Sequence, residues 1–423
     1  MKNSRRSEIL ATGLGVVASV GQGKAAFTEA LLRGQDAFSV MQRPGRQLPQ
    51  SRMGTSNEKD LENRFLGAEI ASLTLPTFSP AHLRTASLSS KAAVTCLHEA
   101  WEDAKLDGVD PSRIGLVVGG SNFQQRELAL VHDAYRDRAQ FLRPSYGLTF
   151  MDSDLCGLCT ETFGIRGFAF TVGGASASSQ IAVLESCQWL QSDRVDVCIA
   201  VGALMDLSYW ECQGFRSIGA MGSDRFANHP AAACRPFDRD RDGFIYGECC
   251  GVIVLERADR LERKGVAPYA HVLGGAIRMD GNRNPDPSLD GEVDVIVDAL
   301  KDANVSGKSI DYINPHGTGS ARGDETEVNA ILRCDLAHAY INATKSITGH
   351  GLSAAGAVEI IATLLQMRAG RIHATRNLEN PIDDRCNWVR SAPALHKIQR
   401  ALKLSMGFGG INTAICLERY QSE

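Results

Sequence analysis

A serine follows a glycine turn at the start of a predicted helix, a position where a side chain could do chemistry. The apolar run Phe168–Val172 predicts a strand, Gly173-Gly174 interrupts it, and Ser176 opens a helix-like apolar pattern. Unpaired N–H groups and the helix dipole favour negative charge at such an N-terminus, so the turn could present a nucleophile or bind an oxyanion. Two alternatives stay open: an ordinary N-cap serine, or the nucleophile elbow of a hydrolase, although Ser178 stands where that motif requires its second glycine.

Two of the ten histidines lie in glycine-rich turns at the ends of predicted strands. Neutral imidazoles at His316 and His350 could donate a hydrogen bond to a developing oxyanion or accept a proton. Lys345 lies just before His350. It could pair with Glu327 or Asp324, or lower the pKa of a nearby histidine, and an ordinary surface lysine is the alternative.

Phe408 lies between glycines in the turn Gly407–Gly410. Its backbone N–H could complete an oxyanion hole, and its ring could gate a pocket. The simpler interpretation is a core aromatic in a flexible turn. The charge-alternating loop Arg235–Asp242 is interpreted as an ion-paired structural element rather than a substrate clamp.

Composition limits the classes of protein to which the chain can belong. It has 423 residues, of which 43% are hydrophobic and 22% charged, and the length predicts two domains or two halves of one large domain. The net charge of −4 gives no support for a nucleic-acid or membrane partner. The 12 irregularly spaced cysteines indicate buried reduced thiols. Cys156 and Cys159 form a CxxC without a second pair, so no metal site is expected.

The N-terminal region resembles a signal peptide but fits a strand better. Lys2, Arg5 and Arg6 precede the apolar stretch Ile9–Val20, which contains several glycines. A first strand at Glu8–Thr12 that turns through the glycines is the preferred interpretation. No run approaches the ~20 apolar residues of a membrane span, and a cytoplasmic protein is expected.

Strands and helices alternate along the chain in two similar series. In each series, predicted strands end on glycine turns, and one turn leads into a long apolar helix, which begins at Ser176 in the first series and just past His350 in the second. This alternation predicts an α/β protein with mostly parallel sheets and a weak internal duplication with almost no residue identity. Because sites in such folds lie at the C-terminal ends of strands, four turns should converge: Gly173–Ser176, Pro315–Gly319, Thr348–Gly351 and Gly407–Gly410.

Four segments together resemble the β-ketoacyl synthase family, condensing enzymes with the thiolase fold. The resemblance covers nearly the whole chain. Any one segment is modest evidence, but all four in this order are highly specific: RPFDRDRDGFIYGE at 235–248, PHGTGS at 315–320, KSITGH at 345–350 and GFGGIN at 407–412.

The resemblance implies a five-layer αβαβα thiolase fold made of two duplicated halves. The first half, 1–256, would contain Ser176, and the second, 257–423, both histidines and the Gly407–Gly410 turn. The family further implies a homodimer and a substrate carried on the phosphopantetheine of an acyl carrier protein, with no other cofactor.

The resemblance also implies roles for individual side chains. His316, His350 and Lys345 match the family's catalytic positions, and Glu327 and Asp324 are taken as supporting residues. Phe408 matches the gating phenylalanine, whose N–H would share an oxyanion hole with that of the nucleophile.

The chain departs from the family pattern at its most reactive position. Ser176 replaces the nucleophilic cysteine, and Gly173-Gly174 replaces the usual small residues before it. Cys249-Cys250 replaces the usual Gly-Ala, and Ile411 the usual threonine. The Ser-for-Cys exchange within GGAS resembles the free-standing decarboxylating synthases of polyketide β-branching cassettes, which make acetyl-carrier protein for an HMG-CoA-synthase-like partner.

The exchange therefore predicts decarboxylation of malonyl-acyl carrier protein to acetyl-acyl carrier protein. A serine hydroxyl is a far weaker acid than a thiol, so attack on a thioester should be slow or absent. Loss of CO2 needs no nucleophile, and His316 and His350 could stabilise the enolate. Two alternatives stay open: a synthase or acyltransferase that uses Ser176, and a non-catalytic partner subunit of a condensing enzyme.

Overall fold

The computed structural model describes residues 7–48, 64–77 and 81–421. The basic residues Lys2, Arg5 and Arg6 lie outside this range. The strands are β1 Ile9–Ala18, β2 Gly21–Gln22, β3 Phe38–Val40, β4 Leu66–Ala68, β5 Ile114–Gly119, β6 Phe168–Val172, β7 Val197–Gly202, β8 Tyr246–Gly247, β9 Cys249–Arg257, β10 Ala270–Met279, β11 Tyr312–Asn314, β12 Tyr340–Ile341, β13 Arg371–Ile372, β14 Asn387–Trp388, β15 Ala394–Leu395, β16 Arg400–Gly407 and β17 Ile411–Arg419. The α-helices are α1 Lys24–Arg33, α2 Leu88–Ala104, α3 Gln125–Tyr135, α4 Tyr146–Thr149, α5 Ser153–Phe163, α6 Ser178–Gln191, α7 Tyr209–Ser217, α8 Leu289–Asp302, α9 Ala321–Arg333, α10 Lys345–Thr348 and α11 Ala355–Ala369.

Two sets of five strands repeat the same topology. The first set has the spatial order β6-β5-β7-β9-β1, and the second has β12-β11-β16-β17-β10. If the strands of each set are numbered one to five in chain order, both sets have the spatial order 3-2-4-5-1. The first residues of β1 pair antiparallel with β10, which joins the two sets. The predicted internal duplication is thus confirmed at the level of topology.

The expectation of mostly parallel sheets is wrong. In each set only two of the four strand pairs are parallel, because the first and fifth strands run antiparallel to their neighbours. The fifth strand follows the fourth through a connection that returns it beside the first. The C-terminal ends of the three parallel strands of each set still point to one edge.

Five layers follow from how the strand faces are buried. In β9, Ile253 and Leu255 join a middle core with α6 and α11, whereas Val252 and Val254 join an outer core with α2 and α5. The second set likewise packs its outer face against α8 and α9. Since side chains alternate along a strand, each apolar strand serves two cores. The predicted αβαβα order is confirmed, whereas the boundary between residues 256 and 257 stays a prediction.

The central helix α11 is strongly apolar. The stretch Leu352–Ala369 has the length and hydropathy of a membrane span, contrary to the expectation that no run comes near one, but 89% of it is buried inside the protein. It packs against α6 and against strands of both sets. Its apolar character is explained by its place in the middle layer.

The first strand does not turn at its glycines. β1 continues to Ala18 through Gly13 and Gly15, so the predicted strand Glu8–Thr12 with a glycine turn is wrong. Helix α2 passes so close that a Cβ on Gly15 would lie 1.9 Å from the carbonyl oxygen of Cys96. The glycines therefore permit helix packing against an extended strand.

Candidate active site

Ser176 lies in a strained turn between β6 and α6. The 3₁₀ turn Ala175–Ala177 precedes α6, and Ala175 has φ of 47°. The equivalent turn of the second half precedes α11, where Leu352 has φ of 50°. The two turns read Gly-Ala-Ser-Ala and Gly-Leu-Ser-Ala, so the duplication retains residue identity at this point. A left-handed backbone at a residue other than glycine is costly and is concentrated at functional sites.

The hydrogen bonds of His350 identify which ring nitrogen bears its proton. Its Nδ1 accepts the backbone N–H of Leu352 at 3.3 Å. In a neutral imidazole the proton is then on Nε2, which lies 2.9 Å from Oγ of Ser176. His350 is therefore a donor toward Ser176. A histidine that acts as a base for serine requires the opposite arrangement, with the proton on Nδ1.

The neutral ring of His316 also bears its proton on Nε2, but for a different reason. The ammonium of Lys345 lies 3.5 Å from Nδ1 of His316 and also donates to the backbone carbonyl of His316. An ammonium group beside Nδ1 leaves the proton of the neutral ring on Nε2. The two imidazole rings lie 5.4 Å apart and nearly perpendicular, at 83°. Both rings line the same cavity as Ser176.

Lys345 pairs with Glu359, so the expected pairing with Glu327 or Asp324 is wrong. Nζ of Lys345 lies 2.5 Å from Oε1 of Glu359, and both side chains are almost fully buried. The other carboxylate oxygen of Glu359 lies 2.8 Å from Nζ of Lys403. Two ammonium groups thus share one carboxylate beneath the histidines, and their positive charge acts on both rings.

Burial and this charge keep both histidines neutral. Burial is the main cause that lowers the pKa of His316 and of His350 well below the ordinary value, and the charges of Lys345 and Lys403 act in the same direction. The alternative prediction for Lys345, that it lowers the pKa of a nearby histidine, agrees with this geometry. Burial also lowers the pKa of Lys403 to about 8.

Glu327 and Asp324 hold the backbone of the His316 turn. Glu327 accepts the N–H groups of His316 and Gly317 at 2.5 and 2.8 Å. Asp324, one helical turn earlier on α9, accepts those of Thr318 and Gly319 at 3.1 Å each. Burial raises the pKa of Asp324 to about 6 and that of Glu327 to about 7. Their predicted supporting role agrees with these contacts.

A cavity of about 540 Å³ opens over Ser176, His316 and His350. Phe408 also lines it, with 42% of its surface exposed. The backbone of the Phe408 turn lies against the Ser176 turn, since a Cβ on Gly407 would lie 2.3 Å from the carbonyl oxygen of Gly174. The four glycine turns therefore converge as expected. The shared oxyanion hole and the gating role of Phe408 stay predictions.

Glu359 and Lys403 were not predicted from the sequence as part of the site. Each is a buried charged side chain inside a mostly apolar element, α11 and β16 respectively, whose other charged residue, Arg368 or Arg400, lies at an end of the element. A lone charge in a buried element requires a partner, and this is the signal that could have identified both. The Arg235–Asp242 loop is ion-paired as interpreted, with Arg235 3.1 Å from Asp238.

The cysteines form no disulfide or metal site in the structure. All 12 are free, and Cys156 and Cys159 of the CxxC are buried in α5. Among the described residues, no group of three or more His, Cys, Asp or Glu side chains is placed to hold a metal ion.

Comparisons with known proteins match nearly the whole chain. Family models described as the N-terminal and C-terminal domains of β-ketoacyl synthase match residues 6–260 and 269–379. The polyketide biosynthesis malonyl-ACP decarboxylase PksF of Bacillus subtilis (strain 168) is 58% identical over 98% of this chain and 97% of its own.

Two solved structures share the fold. A β-ketoacyl synthase from Burkholderia phymatum STM815 has a TM-score of 0.86 and 25% identity, over 98% of this chain and 100% of its own. The second is a type II polyketide-synthase acyl carrier protein in complex with its ketosynthase, with a TM-score of 0.84 and 24% identity, over 99% of this chain and 100% of its own.

Proposed function

The chain belongs to the β-ketoacyl synthase family, and we propose that it decarboxylates malonyl-acyl carrier protein to acetyl-acyl carrier protein in polyketide biosynthesis. The observation that supports this most strongly is the contact between His350 and Ser176, in which the imidazole is the donor. The site thus offers hydrogen bonds to negative oxygen but no activated nucleophile. The relative that is 58% identical is named as a malonyl-ACP decarboxylase.

Chain loading by Ser176 has no source of activation. A thiol has a pKa of about 8.5, and a helix N-terminus and nearby cations can ionise it near neutral pH. A hydroxyl group is a much weaker acid, so Ser176 needs a base to remove its proton. His350 cannot accept that proton at Nε2 while Nδ1 accepts the N–H of Leu352.

Decarboxylation uses the groups that are present. Loss of CO2 from the malonyl thioester leaves an enolate whose charge develops on the thioester oxygen. The Nε2–H groups of His316 and His350 donate to that oxygen, and one such donor is typically worth ~100- to 1000-fold in rate. The positive charge of Lys345 and Lys403 beneath the rings stabilises the same negative charge.

A synthase or acyltransferase that uses Ser176 is the second candidate. The distance of 2.9 Å between Oγ of Ser176 and His350 is compatible with a Ser–His pair. The tautomer that the Leu352 N–H selects argues against it. This candidate predicts a covalent acyl group on Ser176, which peptide mass mapping would detect.

A non-catalytic partner subunit is the third candidate. Such a subunit has no need for two histidines that line one cavity. Nor does it need the buried cluster of Lys345, Glu359 and Lys403, which is costly to maintain unless its charges are used. Turnover by the purified chain alone would exclude this candidate.

We extend the proposal to the partner, the assembly and the location. The substrate is carried on the phosphopantetheine of an acyl carrier protein, and no further cofactor is needed for the chemistry. A homodimer would cover β6, which ends the sheet of the described residues and bears Phe168 and Phe170 against Trp189. Twelve free cysteines suit the reducing cytoplasm.

The direct test is incubation of the purified chain with malonyl-acyl carrier protein, followed by the intact mass of the carrier. A mass loss equal to CO2, without acyl transfer to the enzyme, is expected. Unchanged malonyl-carrier after hours would refute the proposal.

A further inference from the structure

The cavity wall contains a buried carboxyl group that the reaction described above does not use. Glu292 lies in the first turn of α8 and lines the same cavity as Ser176 and both histidines. Only 2% of its surface is exposed. Among the described residues, its Oε2 has no hydrogen-bond partner. A buried polar atom without a partner that borders a substrate cavity is available for a contact with the substrate.

The charges around Glu292 are those of other acids. Glu327, Asp280 and Asp324 all act on it electrostatically. Burial, followed by the charge of Glu327, raises the pKa of Glu292 well above its ordinary value. Burial among other acids favours the neutral form of this carboxyl group, which has an O–H to donate. Carboxyl groups kept protonated in this way act as acids in other enzymes.

Glu292 lies between the two parts of the site that would surround the substrate. On one side, Glu327 holds the N–H groups of the His316 turn. On the other side, Asp280 accepts the amide of Asn412 at 2.6 Å, and its backbone N–H bonds to Gly410 in the Phe408 turn at 2.7 Å. Gly291, which precedes Glu292, packs closely against Asp280, since a Cβ on Gly291 would lie 1.9 Å from Oδ1 of Asp280.

A decarboxylase has a chemical requirement that a condensing enzyme lacks. In condensation, C2 of the enolate forms a bond to an acyl carbon. In simple decarboxylation, C2 must receive a proton, and an acid positioned beside C2 speeds that transfer. His316 and His350 are occupied with the enolate oxygen in the proposed reaction.

We propose that Glu292 is the acid that protonates C2 of the enolate. This inference rests on the proposed decarboxylase activity. The C2–carboxylate bond breaks, CO2 leaves, and the electron pair passes to the enolate. That pair then forms a C–H bond with the carboxyl proton of Glu292, which gives the acetyl thioester and a Glu292 carboxylate. The carboxylate regains a proton from water at the open mouth of the cavity, so atoms and charge balance.

The test compares Glu292→Gln with the wild type and with Asp290→Asn. Glutamine keeps the shape and polarity but cannot supply the acidic proton. Asp290 is an exposed acid two residues away on the same helix, with 81% of its side chain accessible. Formation of acetyl-carrier by Glu292→Gln is expected to fall ~100- to 10,000-fold, as for loss of a general acid, whereas Asp290→Asn should match the wild type.

A second readout separates proton delivery from a merely structural role. With malonyl-carrier and ¹³CO2 present, an enolate that is protonated slowly recaptures CO2, so label enters malonyl-carrier. The ratio of label exchange to acetyl formation should rise in Glu292→Gln. An unchanged ratio, with both rates lowered together, would overturn the inference, as would wild-type rates of acetyl formation.

The failure of this inference is distinguishable from failure of the proposed function. If the wild type releases no CO2, the function itself is refuted. If the wild type is active and Glu292→Gln equals it, only the role of Glu292 is refuted. Thermal unfolding checks that the variant is folded, and Glu292→Met, similar in volume, provides the same comparison if the glutamine variant is not.

Discussion

Substitution of His350 by glutamine and by asparagine tests which ring nitrogen donates the hydrogen bond that the reaction uses. The amide nitrogen of glutamine reaches about the position of Nε2, whereas that of asparagine lies near the position of Nδ1. Neither amide can accept a proton as a base. If His350 acts as a donor through Nε2, His350→Gln should retain function, and His350→Asn should resemble His350→Ala.

The magnitudes follow from the two contacts of the ring. His350→Ala removes one donor to the enolate oxygen, a loss of ~100- to 1000-fold. In His350→Gln the donor toward Ser176 is kept, and only the 3.3 Å bond from the N–H of Leu352 is lost. We therefore expect activity within about tenfold of the wild type, which corresponds to less than ~1.4 kcal/mol.

The assay is single-turnover conversion of malonyl-carrier to acetyl-carrier, followed by intact mass. Unfolding in denaturant for each variant separates loss of activity from loss of structure. If His350→Gln were as inactive as His350→Ala while folded, the donor tautomer would not be what the reaction uses. A base role for His350, which glutamine cannot replace, would then be the better explanation.

Three further predictions concern stability and are measured as unfolding free energies in denaturant. Glu359→Gln leaves two buried ammonium groups without their carboxylate and should cost about 3–5 kcal/mol, so a loss under 1 kcal/mol would contradict the ion-pair cluster. Gly351→Ala places a Cβ 2.1 Å from Sγ of Cys249 and should cost about 1–3 kcal/mol; Cys249→Ala added to it should recover part of the loss, and strict additivity would refute the clash. Burial lowers the pKa of His373 to about 4. In the unfolded chain the same histidine takes up a proton below about pH 6.5, whereas in the native protein it stays neutral until about pH 4. The unfolding free energy should therefore fall by about 3 kcal/mol as the pH decreases toward 4. His373→Gln should reduce that slope, and an unchanged slope would contradict the shift.

The sequence predicted the chemistry of the site better than the buried ion pairs that hold its residues in place. The turns at Ser176, His316 and His350 could be recognised because glycines at strand ends are local features. The partner of Lys345 could not be identified this way, because Glu359 lies 14 residues later on α11, and only the folded turn between the two helices brings the side chains together. A charged residue in an apolar element indicates that a partner is needed, but the sequence does not show which residue it is.

The errors at β1 and in strand direction have the same origin. Gly15 was interpreted as part of a turn. The absence of its side chain is instead required by the close approach of α2, which lies far along the chain. The antiparallel fifth strands depend on how each half folds back on itself. Glu292 was missed because one carboxylate on an amphipathic helix resembles a surface residue until the neighbouring acids are in place.

The most direct test of the account is Ser176→Ala beside His316→Ala in the malonyl-carrier assay. If the two imidazoles hold the enolate without a nucleophile, Ser176→Ala should release CO2 at or above the wild-type rate, because the Nε2–H of His350 is freed from its bond to the hydroxyl. His316→Ala should lose ~100- to 1000-fold. A fall of ~10,000-fold or more in Ser176→Ala, the size of effect seen when a serine nucleophile is removed, would contradict the account.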